Sequence, residues 1–236
     1  MVRARLWTAA GLAVIATAVP VGVAVADQQA ETGVVQGFHY MDRNANGVRD
    51  EGEPGGSNAV GVYTLDGTSV ATVGTGPDGW YHVPDLAPGE YQVGINPIGY
   101  QMTTPTPVRV TVTAGGVAVA HFGKLGGDMS GLAWHDLNAD GQRQPDEPLI
   151  RVPIWLGRWQ VPTDEQGRFF MPNQGTSTYA FRFVPPAGMT FSPYHVGDPA
   201  TDSDVPPDGY ARAVIELVDG RINNVLNIDA GLVTVR

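Results

Sequence analysis

The 236-residue sequence contains no cysteine and one lysine, Lys124. Without cysteine there is no disulfide, no thiol nucleophile and no thiolate metal cage, so an exported chain of this composition must hold its loops by other means. With one lysine, arginine carries nearly all the positive charge: 14 basic side chains stand against 24 acidic ones, and the formal net charge of −10 argues against nucleic acid as a partner. Beyond residue 26 no apolar run is long enough to cross a bilayer. Also missing are Gly-x-Ser-x-Gly, His-Glu-x-x-His and any phosphate-cradling glycine loop. The five histidines, His39, His82, His121, His135 and His195, are scattered, and none forms a ligand pair by spacing. The chain therefore reads as non-enzymatic.

What is present begins with Arg3 and Arg5, which lead an apolar stretch from Leu6 to Val25 that closes on Ala24-Val25-Ala26 before polar Asp27. This is the pattern of a secretory signal peptide with a small-residue cleavage site, which assigns residues 1–26 to a removed leader. An uncleaved anchor is the alternative; Pro20 and the small residues favour cleavage. No transmembrane segment remains after cleavage, and the mature chain is expected to be secreted or held non-covalently at the cell surface.

Gly (31) and Pro (19) are spread along the whole chain, the punctuation of many short strands. Alternating segments include Val34–Tyr40, Val60–Thr64, Val70–Val73, Tyr91–Ile95, Val108–Val112 and Val117–Phe122. Val152–Leu156, Arg168–Met171, Tyr179–Phe183, Ala213–Leu217 and Val225–Ile228 follow. Pro153 suggests an edge strand or a bulge. The fold class expected is all-β, two tandem Greek-key β-sandwich domains with about seven short strands each.

The tandem reading comes from an internal copy. Gly37 to Pro54 and Gly131 to Pro148 match at a constant offset of 94 positions. Pro77–Tyr81 then matches Glu165–Phe169, Gly89–Val93 matches Ser177–Phe181, and Pro97–Tyr100 matches Pro186–Met189. Units this long are domains rather than solenoid turns, with boundaries at 27–126 and 127–236.

Within each copy one loop carries chemistry. Counted from Asp42, oxygen-bearing side chains fall at positions one, three, five, nine and twelve: Asp42, Asn44, Asn46, Asp50 and Glu53, with Gly47 at six. Counted from Asp136 they are Asp136, Asn138, Asp140, Gln144 and Glu147, with Gly141 at six. Val48 and Gln142 would add main-chain carbonyls at position seven. Calcium takes six to eight hard oxygens, and this stride, with a glycine at the sharp turn and a closing carboxylate, is that of the EF-hand loop. The flanks differ from an EF-hand: a strand-like segment precedes the loop, and Pro54 or Pro148 stops any outgoing helix. An Asx-rich turn that binds nothing is the bland reading; two copies at equal spacing favour the ion. Asp198, Asp202, Asp204 and Asp229 would form a further calcium site if the fold gathers them.

Asp-x-Asn-x-Asn/Asp-Gly followed by Glu-Pro, then Asp78-Gly79-Trp80-Tyr81, Leu86 to Tyr91 and Pro97-x-Gly99-Tyr100, resembles the calcium-binding B domains of Gram-positive serine-aspartate-repeat surface proteins, the SdrD B-like family. In the second copy the likeness runs through Pro185–Phe191, Gly197-Asp198, Thr201–Val205 and Asp229–Leu232. The resemblance implies a Cna B-like sandwich, calcium as the ion, and a stiff spacer or adhesive stalk at the cell surface. Gln144 departs from the usual acid at its position. Two family features are missing. The acid of a lysine–asparagine isopeptide site is replaced by Ile95 or Phe183, and no Leu-Pro-x-Thr-Gly sorting motif, hydrophobic tail or serine-aspartate repeat is seen.

A second reading is an extracellular module that binds protein or polysaccharide through exposed aromatics of the second copy. Trp155, Trp159, Phe169, Phe170, Tyr179 and Phe181 are concentrated there. Most lie in strand-like positions that predict core; Trp159, between Arg158 and Gln160, is the ring expected at the surface.

Overall fold

From Gly33 onward the alternation becomes strand pairing. The computed structural model describes residues 31–235, so the leader reading of residues 1–26 lies outside the described residues. Among the described residues there is no helix. The first half contributes β1 (Gly33–Met41), β2 (Ala59–Tyr63), β3 (Ser69–Gly74), β4 (Trp80–Leu86), β5 (Gly89–Ile95), β6 (Val108–Val112), β7 (Val117–Val119) and β8 (Phe122–Lys124). The second contributes β9 (Gly127–Gly131), β10 (Ala133–His135), β11 (Ile154–Leu156), β12 (Trp159–Gln160), β13 (Phe169–Gln174), β14 (Ser177–Phe183), β15 (Met189–Phe191), β16 (Tyr210–Ile215), β17 (Leu217–Val218), β18 (Arg221–Ile222) and β19 (Ala230–Thr234).

In the first half the sheet β4-β1-β7, with β8 also on β1, faces the sheet β3-β2-β5-β6. Val35, Tyr81, Val83 and Phe122 from one sheet meet Val60, Val62, Val93 and Val112 from the other in one buried cluster. Burying each such side chain contributes about 1.5–3 kcal/mol against exposure, which is what holds two pleated layers face to face. In the second half β12-β11-β14-β16 covers the short sheets β13-β9 and β10-β19-β15. Its core joins Met129, Phe169 and Leu232 to Ile154, Phe181, Ala213 and Ile215. Each half is thus a β-sandwich with its own core.

The halves repeat one another in register. His39, Tyr40 and Met41 pair in parallel with Phe122, Gly123 and Lys124, while Ala133, Trp134 and His135 pair in parallel with Ala230, Gly231 and Leu232. Val60 opposes Ile95 as Ile154 opposes Phe183. Gly61 opposes Gly94 as Trp155 opposes Arg182.

Several expectations are corrected. Val225–Ile228 is not a strand; only Val225 bridges, to Met129. Pro153 marks neither an edge nor a bulge, because β11 begins after it and is paired on both sides, by β12 and β14. Val117–Phe122 divides into β7 and β8, which pair with successive segments of β1. Phe170, expected in the core, is 63% exposed, because alternation along β13 sends Phe169 and Met171 inward.

Candidate metal centre

Each oxygen-rich loop leaves the end of the strand that pairs with the last strand of its own half. Asp42 N donates to Lys124 O at 2.8 Å and Asp136 N to Leu232 O at 2.8 Å. The loop ends are tied by Met41 N to Pro54 O and His135 N to Pro148 O, both 2.9 Å. The loop thus opens and closes on sheet hydrogen bonds, which fix its first and last residues.

Inside the first loop, Asp42 Oδ2 accepts from Gly47 N at 2.7 Å. Glu53 spans the ring: its Oε1 accepts from Arg43 N at 2.8 Å and its Oε2 from Asp50 N at 3.1 Å. The second loop reproduces this. Asp136 Oδ2 accepts from Gly141 N at 2.9 Å, Glu147 Oε1 from Leu137 N at 2.7 Å, and Glu147 Oε2 from Gln144 N at 2.9 Å. The backbone is left-handed at the same places, Ala45 (φ 57) and Gly47 (φ 76) in one loop and Ala139 (φ 61) and Gly141 (φ 78) in the other. Alanine in that region is strained by about 1–2 kcal/mol, which the surrounding bonds must offset.

The intermediate positions converge. Asn44 Nδ2 and Asn46 Nδ2 both donate to Asp50 Oδ2, at 2.6 and 2.7 Å. In the second loop Asn138 Nδ2 and Gln144 Nε2 both donate to Asp140 Oδ2, at 2.8 and 2.9 Å. The Gln142 amide, then the Gln144 side chain, hold the Asp140 carboxyl below its ordinary range. Val48 N and Gln142 N bond to the side chains at position five, Asn46 Oδ1 and Asp140 Oδ1.

The donor set fits a hard cation. Asp42 and Asp136 are 0% and 2% exposed, and Glu53 and Glu147 are each 8% exposed. Yet the ion pairs among the described residues, Arg43–Asp128 and His195–Asp204, involve none of the four. Buried carboxylates without a cationic partner are costly. Burial, and then Asp42, Glu53 and Asp50, push the Tyr40 phenol up to about 12. Among the described residues no three histidine, aspartate or glutamate side chains are drawn tightly enough together to hold an ion by themselves. Amide and main-chain oxygens would have to complete each set.

Residues 34–111 match the sequence profile of the SdrD B-like domain. This stretch is an SdrD B-like domain. Across a wider span the chain is 29% identical to serine-aspartate repeat-containing protein D of Staphylococcus aureus (strain Newman), over 196 residues that cover 73% of the chain and 15% of that protein. It is 27% identical over 214 residues to Colossin-A of Dictyostelium discoideum, covering 79% of the chain and 2% of that protein. The chain spans less than a fifth of the length of these curated relatives. Among solved structures, the shaft pilin SpaA of Lactobacillus rhamnosus GG superposes with a TM-score of 0.44 and 10% identity, over 86% of this chain and 98% of that one.

The SdrD B-like domain contains the first loop, and the second loop lies outside the matched residues. Of the acidic stretch in the second half, the fold joins Asp204 to Asp229, sets Asp202 within electrostatic range of both, and leaves Asp198 in an exposed turn, where its Oδ1 accepts from Ala200 N. Asp204 N donates to Asp229 O, and Asp229 N donates back to Asp204 Oδ2. Burial pushes the Asp229 carboxyl up to about 7, opposed by the Leu132 amide and Arg143 and reinforced by Asp204 and Asp202. Burial likewise raises the Asp204 carboxyl. Asp202 is 5% exposed, and its Oδ1 has no hydrogen-bond partner.

One functional residue escaped the sequence reading. Arg43, second in the loop of the SdrD B-like domain, sends its guanidinium to Gly126 O, to Asp128 Oδ1 at 2.8 Å and to Asn173 Oδ1 at 2.8 Å. Its own carbonyl accepts from Ile222 N at 2.9 Å. The loop is therefore also the joint between the two cores. The signal was faint: position two is arginine in the first copy and leucine in the second, and Leu137 is 59% exposed.

Proposed function

We propose that the chain is a secreted or surface-associated, non-enzymatic spacer of two SdrD B-like modules, residues 27–126 and 127–236, stiffened by calcium and adhesin-like in its use. The supporting observation is the repeated loop, in which Asp42 and Asp136 are buried without a cationic partner while Glu53 and Glu147 span their rings. Asp42, Asn44, Asn46, Asp50, Glu53 and the Val48 carbonyl would hold one ion; Asp136, Asn138, Asp140, Gln144, Glu147 and the Gln142 carbonyl would hold another. Asp202, Asp204 and Asp229 offer oxygen to a third.

Bound calcium supplies charge neutralisation to carboxylates that repel one another when alone. The chain's part is to hold the oxygens: sheet hydrogen bonds fix the loop ends, and the left-handed residues turn the side chains inward. With no cysteine to cross-link the loops, an ion that binds only the folded state takes over that role by mass action. Millimolar affinity suffices outside a cell, since extracellular modules of this loop type work at about 0.1–1 mM. The family match and the named staphylococcal relative support the surface setting, and the leader pattern of residues 1–26 supports export.

Thermal unfolding tests the reading: the melting temperature rises with added calcium and falls with a chelator. Identical curves in both would remove calcium from the account.

A further inference from the structure

The solvent face of the β12-β11-β14-β16 sheet carries a cross-strand row of rings and arginine. Trp155 opposes Gln160 on one side and Arg182 on the other, and Arg182 opposes Tyr210. Directly opposed residues share a face, so Gln160, Trp155, Arg182 and Tyr210 run side by side across all four strands. Trp155 is half-buried, Arg182 is exposed and Tyr210 is 49% exposed. Trp155, Arg158, Arg182 and Tyr210 line a groove of about 610 Å³. Arg212 lies alongside, opposite the groove residue Ala180.

The first half offers the same sheet for comparison. In the first half the corresponding row is Thr72, Gly61 and Gly94, with Pro107 beside it. That row is small there, and the face's ring is instead Tyr63, laid over Gly61, while Arg109, opposite Gln92, is its charge. Trp155 and Arg182 thus stand at row positions that the first half fills with Gly61 and Gly94. The ion pairs among the described residues leave out Arg158, Arg182 and Arg212. Asp208, two residues before Tyr210, turns its carboxylate onto the Tyr210 amide.

We infer that this face is a binding site for a carboxylate-bearing polysaccharide. Two rings lie on neighbours of one central strand, about 10 Å apart at the spacing of β-strands, with a guanidinium between them. A linear sugar polymer can lay its apolar ring faces on Trp155 and Tyr210 while its acid group meets the planar fork of Arg182. Arg158 and Arg212 extend the positive strip to either side. In a chain with a formal net charge of −10, three unpaired arginines on one face select an anionic partner by charge complementarity. The site is separate from the oxygen loops and does not depend on calcium.

The test is calorimetric titration of the intact mature chain with a hyaluronate octasaccharide, beside a neutral chitin-derived octasaccharide and dextran sulfate, at one fixed calcium concentration. The hyaluronate fragment binds, more weakly as salt is raised, and the neutral oligomer does not. Arg182→Ala weakens binding by about tenfold or more, the loss of one charge-assisted contact. Trp155→Gly, which installs the residue the first half carries, does the same while leaving the melting curve of the other half unchanged. Absence of binding, equal binding of the neutral oligomer, tighter binding of dextran sulfate, or undiminished binding in both variants would overturn the assignment. Each outcome is independent of whether calcium alters the melting temperature.

Discussion

Arg43 Nη2 lies 2.8 Å from Asp128 Oδ1, so the second residue of the first oxygen loop is ion-paired to the first strand of the second half. Because the Arg43 amide bonds to Glu53 Oε1, one residue links the closing carboxylate of the loop to the joint between the cores. Arg43→Ala is expected to cost about 2 kcal/mol, since Gly126 O and Asn173 Oδ1 lose the guanidinium and Asp128 Oδ1 keeps only the Asn173 amide. Both paired side chains are about a quarter exposed, 23% and 24%. A double-mutant cycle with Asp128→Ala should therefore return a coupling of only about 1 kcal/mol. Urea denaturation of the four proteins measures it; a coupling of zero would make the contact incidental.

Glu53→Gln and Glu147→Gln are expected to differ. Each removes the closing negative charge of its loop and most of the calcium-dependent stabilisation there. Only Glu53→Gln also loosens the joint, through Arg43. Limited proteolysis between Lys124 and Asp128 reads the difference: in calcium the Glu53 variant is cut faster than wild type and the Glu147 variant is not. Equal protection in both would separate the loop from the joint.

His39 sets an acid limb on stability. It is fully buried, and burial, then Lys124, pull its pKa from 6.5 down to about 4. Neither ring nitrogen has a partner at hydrogen-bonding geometry; the Gly56 backbone is the nearest favourable group. The unfolded chain takes up this proton below pH 6.5 while the folded chain resists until about pH 4. Stability from this group is full above pH 6.5 and is lost between 6.5 and 4, by roughly 3 kcal/mol in all. His39→Phe, which forfeits no hydrogen bond, should flatten that part of the pH–stability curve. An unchanged slope would contradict the assignment.

Two glycines with the same backbone sign separate strain from crowding. Gly67 (φ +89) has nothing within 4 Å of an added Cβ, whereas at Gly79 (φ +80) a Cβ would run into His39 O and lie 3.0 Å from Gly55 Cα. Gly67→Ala is expected to cost about 1 kcal/mol, the left-handed penalty alone. Gly79→Ala should cost several times more, because β1 would have to move. Chemical denaturation of both variants checks the ratio.

Much of this architecture was legible because it was written twice. Asp42 and Asp136, Gly47 and Gly141, and Glu53 and Glu147 keep the offset of 94, and the hydrogen bonds of the folded loops keep it too. Strands with clean alternation, such as Val108–Val112, were found at their true limits. What failed was non-local. The parallel pairing of β1 with β7 and β8 joins residues some 80 positions apart, and no period along the chain announces it. Val225–Ile228 has the composition of a strand but finds only one bridge. Asp198 carries the same acid as Asp202 and Asp204, yet a local turn claims it. Arg43 and Trp155 gain their meaning only from what lies across the joint or across the sheet.

The account rests on the two oxygen loops holding calcium, and calorimetric titration of the chain with calcium tests that most directly. It predicts at least two ions per chain in the millimolar range or tighter, with one lost in Glu53→Gln and a different one lost in Glu147→Gln. Heat of dilution alone, or a stoichiometry that neither substitution alters, would contradict it.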